Sequence, residues 1–458
     1  MRCLFSCSDD VGANLGKWFG RRPRRVVTSA PIASSRSLTG VLGSPWRAVV
    51  TPWGDLEFAD GSAPLQWFVA ADDRWHHPEG EVAVRQRAIE GAPVFETRVR
   101  VPRGDVVQTI WSTTLAGVGV TVIDVGNDSA LPIAVAFSRT DLVTARPSST
   151  SSGAMGEWPA PGLDLPDRPL VVPIGHRAAA RVILRHDGRT DGLLGEVPDV
   201  ASVIRGWSAL AERAGRIVIP DVLDATPLTE CVVSARCQAV LHGDDAEHAA
   251  DRLLDLDERM RVNVEKPDPV LVVELSERLL DDLRHSRVDS NAARLALWAA
   301  TRLLPDDQRA IDDLVAAVAR VRGTRADDLS TAWGTVEPVT SLAVSRHRLP
   351  ATVHDRLARF TARGTVTLLP DGLPADWLGV SCEAHGIAVG THHMVSFAVR
   401  WHGERPAILW EVDGPPGLVL RSGVDEQWST TESRGEALWN APRRVPTTLR
   451  LGTESSFN

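Results

Sequence analysis

Trp46, Trp53, Trp67 and Trp75 fall within about thirty residues, in Pro45-Trp46, Pro52-Trp53-Gly54-Asp55, Gln66-Trp67-Phe68 and Arg74-Trp75-His76-His77. An exposed indole can stack on the apolar face of a sugar ring, which makes this cluster a candidate ligand platform. The competing assignment is packing, the usual fate of tryptophan in strand-rich folds. The chain has 15 tryptophans and no tyrosine, so every aromatic contact with a polar handle must use an indole N–H. Glu411, in Ile408-Leu409-Trp410-Glu411-Val412-Asp413, stands among apolar residues on an expected strand. Alternation puts it on one face with Ala407 and Leu409, either ion-paired to Arg400 or Arg421 or in contact with a ligand.

Other chemistries lack their spacing. His76-His77 and His392-His393 put neighbours on opposite strand faces, and His242 and His248 miss a common helical face, so no metal site is expected. There is no Gly-x-Ser-x-Gly elbow for a serine hydrolase. Gly117-Val118-Gly119 lies in a strand-like run without the rest of a phosphate-binding fingerprint, so no cofactor is expected. The five cysteines include the pairs Cys3/Cys7 and Cys231/Cys237, which lack CxxC spacing, and a reduced cytoplasm is the expected home. A net charge of −9 without a basic stripe interleaved with aromatics argues against nucleic acid and anionic membranes as partners. No window approaches ~18 apolar residues, so no membrane-spanning helix is expected. The run Arg21-Arg22-Pro23-Arg24-Arg25 lacks the apolar segment of a secretory signal. Oligomeric state is left open.

These residues need elements to hold them. From about Ser37 to Arg185 short alternating runs are separated by Gly, Pro and Asp. Val94–Val101 places Phe95, Thr97, Val99 and Val101 on one face and Glu96, Arg98 and Arg100 on the other, the period of a half-buried strand. The evenly spaced strands predict an antiparallel sandwich. Helical periodicity then takes over, with Leu228, Cys231, Val232, Ala235 and Ala239 in one stripe and Val272, Leu275, Leu279 and Leu283 in another. Further helices are expected near Asp245–Met260, from Ser290, from Pro305, at Arg325–Trp333 and at Pro350–Arg363. Strands return at His393–Trp401 and Ala407–Val412. The expected organisation is a disordered tail at 1–36, a β-sandwich at 37–200 with a mobile loop at 144–169, and a linker at 201–223. A helical domain at 224–363 and a C-terminal β-domain at 364–458 complete it.

The join between the first two regimes is the segment from Trp207 through Pro220-Asp221 to Asp224. It resembles the linker of the six-hairpin glycosidases, the glucoamylase and glycogen-debranching-like group, in which a β-sandwich feeds an α/α toroid. Val395–Val412 and Trp428–Glu436 resemble actinobacterial proteins of unassigned chemistry with this layout. The resemblance implies an N-terminal β-sandwich, an α/α toroid of helix pairs and a C-terminal β-sandwich. The chain departs from it in one respect: Pro220–Gly364 has room for six or seven helices, where a complete toroid needs about a dozen.

Inverting enzymes of that group use two carboxyl groups ~6.5–9.5 Å apart, one protonating the leaving oxygen and one activating water. The positions matching their placement are Asp244 and Asp245, after the first helix in His242-Gly243-Asp244-Asp245, and Glu337 in Trp333-Gly334-Thr335-Val336-Glu337-Pro338. Asp244 and Asp245 serve equally well as caps of the next helix, and Glu337 as a solvated loop residue. The shortened toroid favours a carbohydrate-related protein that binds or scaffolds without catalysis. The alternative is an inverting glycoside hydrolase of α-linked glucans or small glucosides. In either case the expected ligand is an oligosaccharide or glucan.

Overall fold

Strand-rich regions at both ends of the described chain flank seven helices. The computed structural model describes residues 37–144, 165, 169–190, 196–223, 225–243, 246–305, 307–325, 345–361 and 364–442. The tail expected at 1–36, most of the loop expected at 144–169 and all but the first residue of the helix expected at 325–333 lie outside the described residues.

In the N-terminal region Phe95–Val101 buries Phe95, Thr97, Val99 and Val101, as its alternation dictates. It belongs to a six-stranded antiparallel sheet in the order Leu142–Thr144, Ala179–Arg185, Val118–Asn127, Gly104–Leu115, Phe95–Val101, Arg85–Ala88. A four-stranded antiparallel sheet runs Leu170–Ile174, Ile133–Phe137, Trp67–Ala70, Trp75–His76. The two share one core, in which Val69, Val135 and Val172 meet Val99, Ile110 and Ile123. Ser37–Gly40, Arg47–Val50 and Leu56–Phe58 form a third, three-stranded sheet that adds Val50 and Leu56 to that core.

The linker is an amphipathic helix followed by a strand. Helix α1 (Val200–Glu212) buries Ile204, Trp207, Leu210 and Ala211. Trp207 shares a core with Trp111, Val122 and Ile183 of the six-stranded sheet and with Cys237 and Leu241 of the next helix, so its indole ties sheet to helices. Arg216–Val218 then pairs with Cys382–Val389 as an edge of the C-terminal five-stranded sheet. The expected linker thus contributes to the C-terminal region as well as following the N-terminal one.

The helical region comprises α2 (Leu228–His242), α3 (Ala249–Arg261), α4 (Pro269–Arg284), α5 (Ser290–Leu303), α6 (Gln308–Arg322) and α7 (Leu349–Leu357). Asp caps three of them: the side chains of Asp268, Asp289 and Asp307 accept from Val270 N, Ala292 N and Ala310 N. The cap of α5 is therefore Asp289, and Ser290 is the first helical residue. Helix α3 packs against α2, α4 and α5, and Leu253, Leu275, Leu297 and Val318 belong to the core of the block. Helix α7 stops at Leu357, short of the expected Arg363, because Ala358–Thr361 turns back as a strand paired with Thr365–Leu368.

Those two strands belong to a four-stranded sheet with Val419–Ser422 and Ser429–Thr430, in which Thr365–Leu368 and Val419–Ser422 run parallel. The five-stranded sheet runs Arg216–Val218, Cys382–Val389, His393–His402, Arg405–Asp413, Arg434–Leu438. Both share a core with Val232 of α2 and Val353 of α7. All described residues belong to one compact unit, Arg36–Asn458. No described helix is long and apolar enough to cross a membrane.

Candidate functional site

The four clustered tryptophans have different fates. Trp67 is 1% exposed and Trp75 4%, so their indoles are core and have no face to offer a sugar. Trp53 is half-buried and its Nε1 donates to Asp55 Oδ2 at 2.9 Å, while Trp67 Nε1 donates to the Trp53 carbonyl at 2.9 Å. Trp46 is half-buried, stacked on His186 with ring centroids 3.4 Å apart and 11° between planes. Phe58 lies 6.1 Å from Trp46, and the Arg139 guanidinium sits 5.0 Å over Phe58. Of the four, Trp46 and Trp53 retain exposed surface.

Beneath them lies a polar cluster that sequence spacing did not announce. Asp55 is buried, accepts from Trp53 Nε1 and the Trp67 backbone N–H, and donates its own N–H to Thr51 Oγ1. Burial pushes its carboxyl up to about 7, only partly offset by those hydrogen bonds. Gly54 is obligatory beside it, with φ +90° and Gln108 Oε1 only 2.2 Å from where a Cβ would stand. A second polar chain runs from Thr39 through Ser112 and Thr121 to His186 Nε2, each step 2.9–3.0 Å. Burial drives the His186 imidazole down to about 3, so it is neutral at physiological pH.

Glu411 is exposed, opposite Ser396 and Arg434 in the five-stranded sheet. It shares the outer face with Ala407 and Leu409, as alternation predicts. Among the described residues neither expected ion pair, with Arg400 or with Arg421, is formed; Arg400 bonds Glu383 instead. Asp244, Asp245 and Glu337 lie outside the described residues. Among the described residues no group of three or more His, Cys, Asp or Glu is placed to hold a metal.

The densest chemistry is inside the helical block. Arg236 of α2 is wholly buried and caps α1, its Nη1 and Nη2 donating to the carbonyls of Ala211 (3.1 Å), Gly215 (2.5 Å) and Ala214 (3.0 Å). Carbonyls at a helix end lack intrahelical partners and carry the negative end of the dipole, so a guanidinium satisfies them in both respects. Arg261 of α3 also donates to Ala214 O. Glu258 bridges the two arginines, accepting from Arg236 Nε at 3.0 Å and Arg261 Nη1 at 2.8 Å. The preceding residue, Asp257, accepts bidentately from Arg302 of α5. Asp355 of α7 is held bidentately by Arg294 and again by Arg359 at 3.0 Å. His354 sits between Arg236 and Arg261; burial, reinforced by the guanidiniums of Arg261, Arg236 and Arg302, holds it neutral, well below the usual histidine range.

A crevice of about 40 Å³ opens among these groups, lined by Arg261, Arg302, His354 and Asp355 on one side and by Leu295, Trp298 and Phe360 on the other. It has room for little more than a water or two. Pockets for organic ligands are roughly 300–1,000 Å³. Among the described residues, the carboxylates in contact with the crevice or its arginines, Asp257, Glu258 and Asp355, are each hydrogen-bonded to a guanidinium.

The sequence signal for this centre is faint. Seven of the thirteen residues of helix α3 are charged, and outside its apolar stripe of Ala249, Leu253 and Leu256 such residues are ordinarily read as a solvated face, yet Asp251, Asp255, Asp257, Glu258 and Arg259 are all buried. Their partners lie on other elements: Arg348 for Asp251, His347 for Asp255, Arg302 for Asp257 and Arg236 for Glu258. No protein-family model matches the chain, and no curated protein matches it in sequence.

Proposed function

We propose that this protein is a carbohydrate-binding or scaffold protein of glycosidase-like architecture, with a shortened α/α toroid between two β-sandwiches, and that it does not catalyse glycoside hydrolysis. The observation that carries the reading is the filling of the helical interior. Where a hydrolase needs a concave pocket with one protonated and one ionised carboxyl group ~6.5–9.5 Å apart, the described helices hold arginine–carboxylate pairs around a crevice of about 40 Å³. A general acid must be kept protonated near neutral pH by burial away from cations. Asp257, Glu258 and Asp355 are instead each hydrogen-bonded by guanidinium.

Binding is assigned to the edge of the N-terminal sheets, where Trp46 is stiffened by its stack on His186 and Trp53 by its bond to Asp55. A rigid indole loses little entropy when it receives a sugar face. Affinity electrophoresis through gels containing glycogen or soluble starch tests the assignment. The chain should be retarded, and Trp46→Ala or Trp53→Ala should migrate nearer its position in a glucan-free gel while keeping the wild-type circular dichroism. Migration of the wild-type chain unaffected by every glucan tried would remove the carbohydrate reading.

A further inference from the structure

We propose that the crevice between α3, α5 and α7 binds one monovalent anion of chloride size, which completes the ionic centre of the helical block. This goes beyond the carbohydrate reading and does not depend on it.

The charges around the crevice call for one negative ion. Arg236, Arg261 and Arg302 surround His354 and the crevice, while among the described residues Glu258 and Asp257 are the carboxylates that pair with them. The adjoining cations do not change the balance, since Arg294 and Arg359 are matched by Asp355 and Asp371. One positive charge is left in a buried place, where an uncompensated ion is strongly unfavourable.

Hydrogen bonding points to the same spot. Arg302 commits Nε and Nη2 to Asp257, and its Nη1 makes no hydrogen bond among the described residues. His354 meets a guanidinium at each ring nitrogen, Arg236 Nη2 at 2.7 Å from Nε2 and Arg261 Nη1 at 3.2 Å from Nδ1. Guanidinium only donates, and a neutral imidazole has one lone pair and one N–H. The shorter contact makes Nε2 the acceptor, which leaves Nδ1–H beside the donors of Arg261. An anion accepting from Arg302 Nη1, Arg261 and His354 Nδ1–H relieves that opposition. A water would supply lone pairs but would leave the charge unbalanced.

Size and valence select the ion. The volume of about 40 Å³ exceeds the ~10–15 Å³ that one water-sized occupant needs, and a single charge balances the site where the double charge of a phosphate or sulfate would overcompensate it. Because Ala388, Val389 and Gly390 of the C-terminal sheet complete the lining, the ion would also fasten the helices to that sheet.

The test combines crystallography with melts of the full chain. Crystals soaked in sodium bromide should show an anomalous peak in the crevice, within hydrogen-bond distance of Arg302 and Arg261. The melting temperature should rise saturably by a few degrees with sodium chloride relative to sodium gluconate at equal ionic strength. Ala351→Leu, which fills the crevice from α7 without removing an ion-pairing group, should abolish that difference. Arg302→Met should abolish it too, if the variant folds. Bromide found only at the protein surface, or equal melting of the wild type in both salts, would overturn the proposal whatever the variants do.

Discussion

Gln238 of α2 clasps the backbone of Leu38 with both ends of its amide: Oε1 accepts from Leu38 N at 2.8 Å and Nε2 donates to Leu38 O at 3.0 Å. The two residues are 200 positions apart, and the side chain acts as one more strand on the edge of the three-stranded sheet. Gln238→Ala would leave a buried N–H and C=O unpaired, at ~1–3 kcal/mol each. Urea denaturation should show a loss of about 2 kcal/mol or more. Gln238→Glu should be at least as damaging, because it removes the donor and buries a charge. Wild-type stability in both variants would show that the helix and the first strand do not depend on this contact.

Trp207 is 8% exposed at the seam between the six-stranded sheet and α2. Truncation of a buried tryptophan typically costs about 3–5 kcal/mol, so Trp207→Ala should lower the thermal midpoint markedly. An unchanged melt would mean the seam is held without the indole.

Asp55 gives the fold an unusual pH dependence. Its carboxyl is raised from 3.8 to about 7, so between those values the folded chain holds a proton that the unfolded chain has released. The folded state is then favoured on the acid side, and the contribution is lost as pH rises from about 4 to about 7, opposite in sign to a salt-bridged carboxylate. The effect is of order a few kcal/mol. The stability of wild type relative to Asp55→Asn, measured by urea denaturation, should therefore fall between pH 5 and pH 8. A difference that stays flat would place the Asp55 carboxyl at its ordinary value.

Gly91 shows how closely the N-terminal sheets approach α2. Its φ is +73°, and a Cβ there would stand 2.3 Å from the Glu230 carbonyl oxygen and 3.0 Å from Ser234 N. Gly91→Ala must push a hairpin turn off a helix backbone, and the loss should reach about 2 kcal/mol or more, in the range of overpacking and backbone strain. Tolerance of alanine in a chemical melt would show that the turn can move aside.

Much of this was legible in the residues, and where it was not the reason is physical. The alternation of Phe95–Val101 gives a strand with its buried face correct, because period 2 against one core leaves a single solution. The stripe Leu228, Val232, Ala235, Ala239 places α2, but that helix also buries Arg236, Gln238 and His242, so it is enclosed on more sides than an amphipathic reading allows. Helix α3 is the sharper failure. Periodicity locates apolar faces, whereas its buried acids, apart from the i,i+3 pair of Glu258 with Arg261, are stabilised by arginines and a histidine 22 to 97 positions away, which no local pattern encodes. The Trp cluster was visible by type, but Trp67 and Trp75 lie on strands of the four-stranded sheet and are buried in its cores, whereas Trp46 sits in the loop before Arg47–Val50 and is only half-buried.

The most direct measurement of the central claim is turnover. Purified protein is assayed on maltose, trehalose, soluble starch and aryl α-glucosides, beside the Asp245→Asn and Glu337→Gln variants. With the helical interior occupied by arginine–carboxylate pairs, wild type and both variants should release sugar at the same background rate. Turnover well above background in the wild type, abolished by either substitution, would contradict the account and establish a working pair of carboxyl groups.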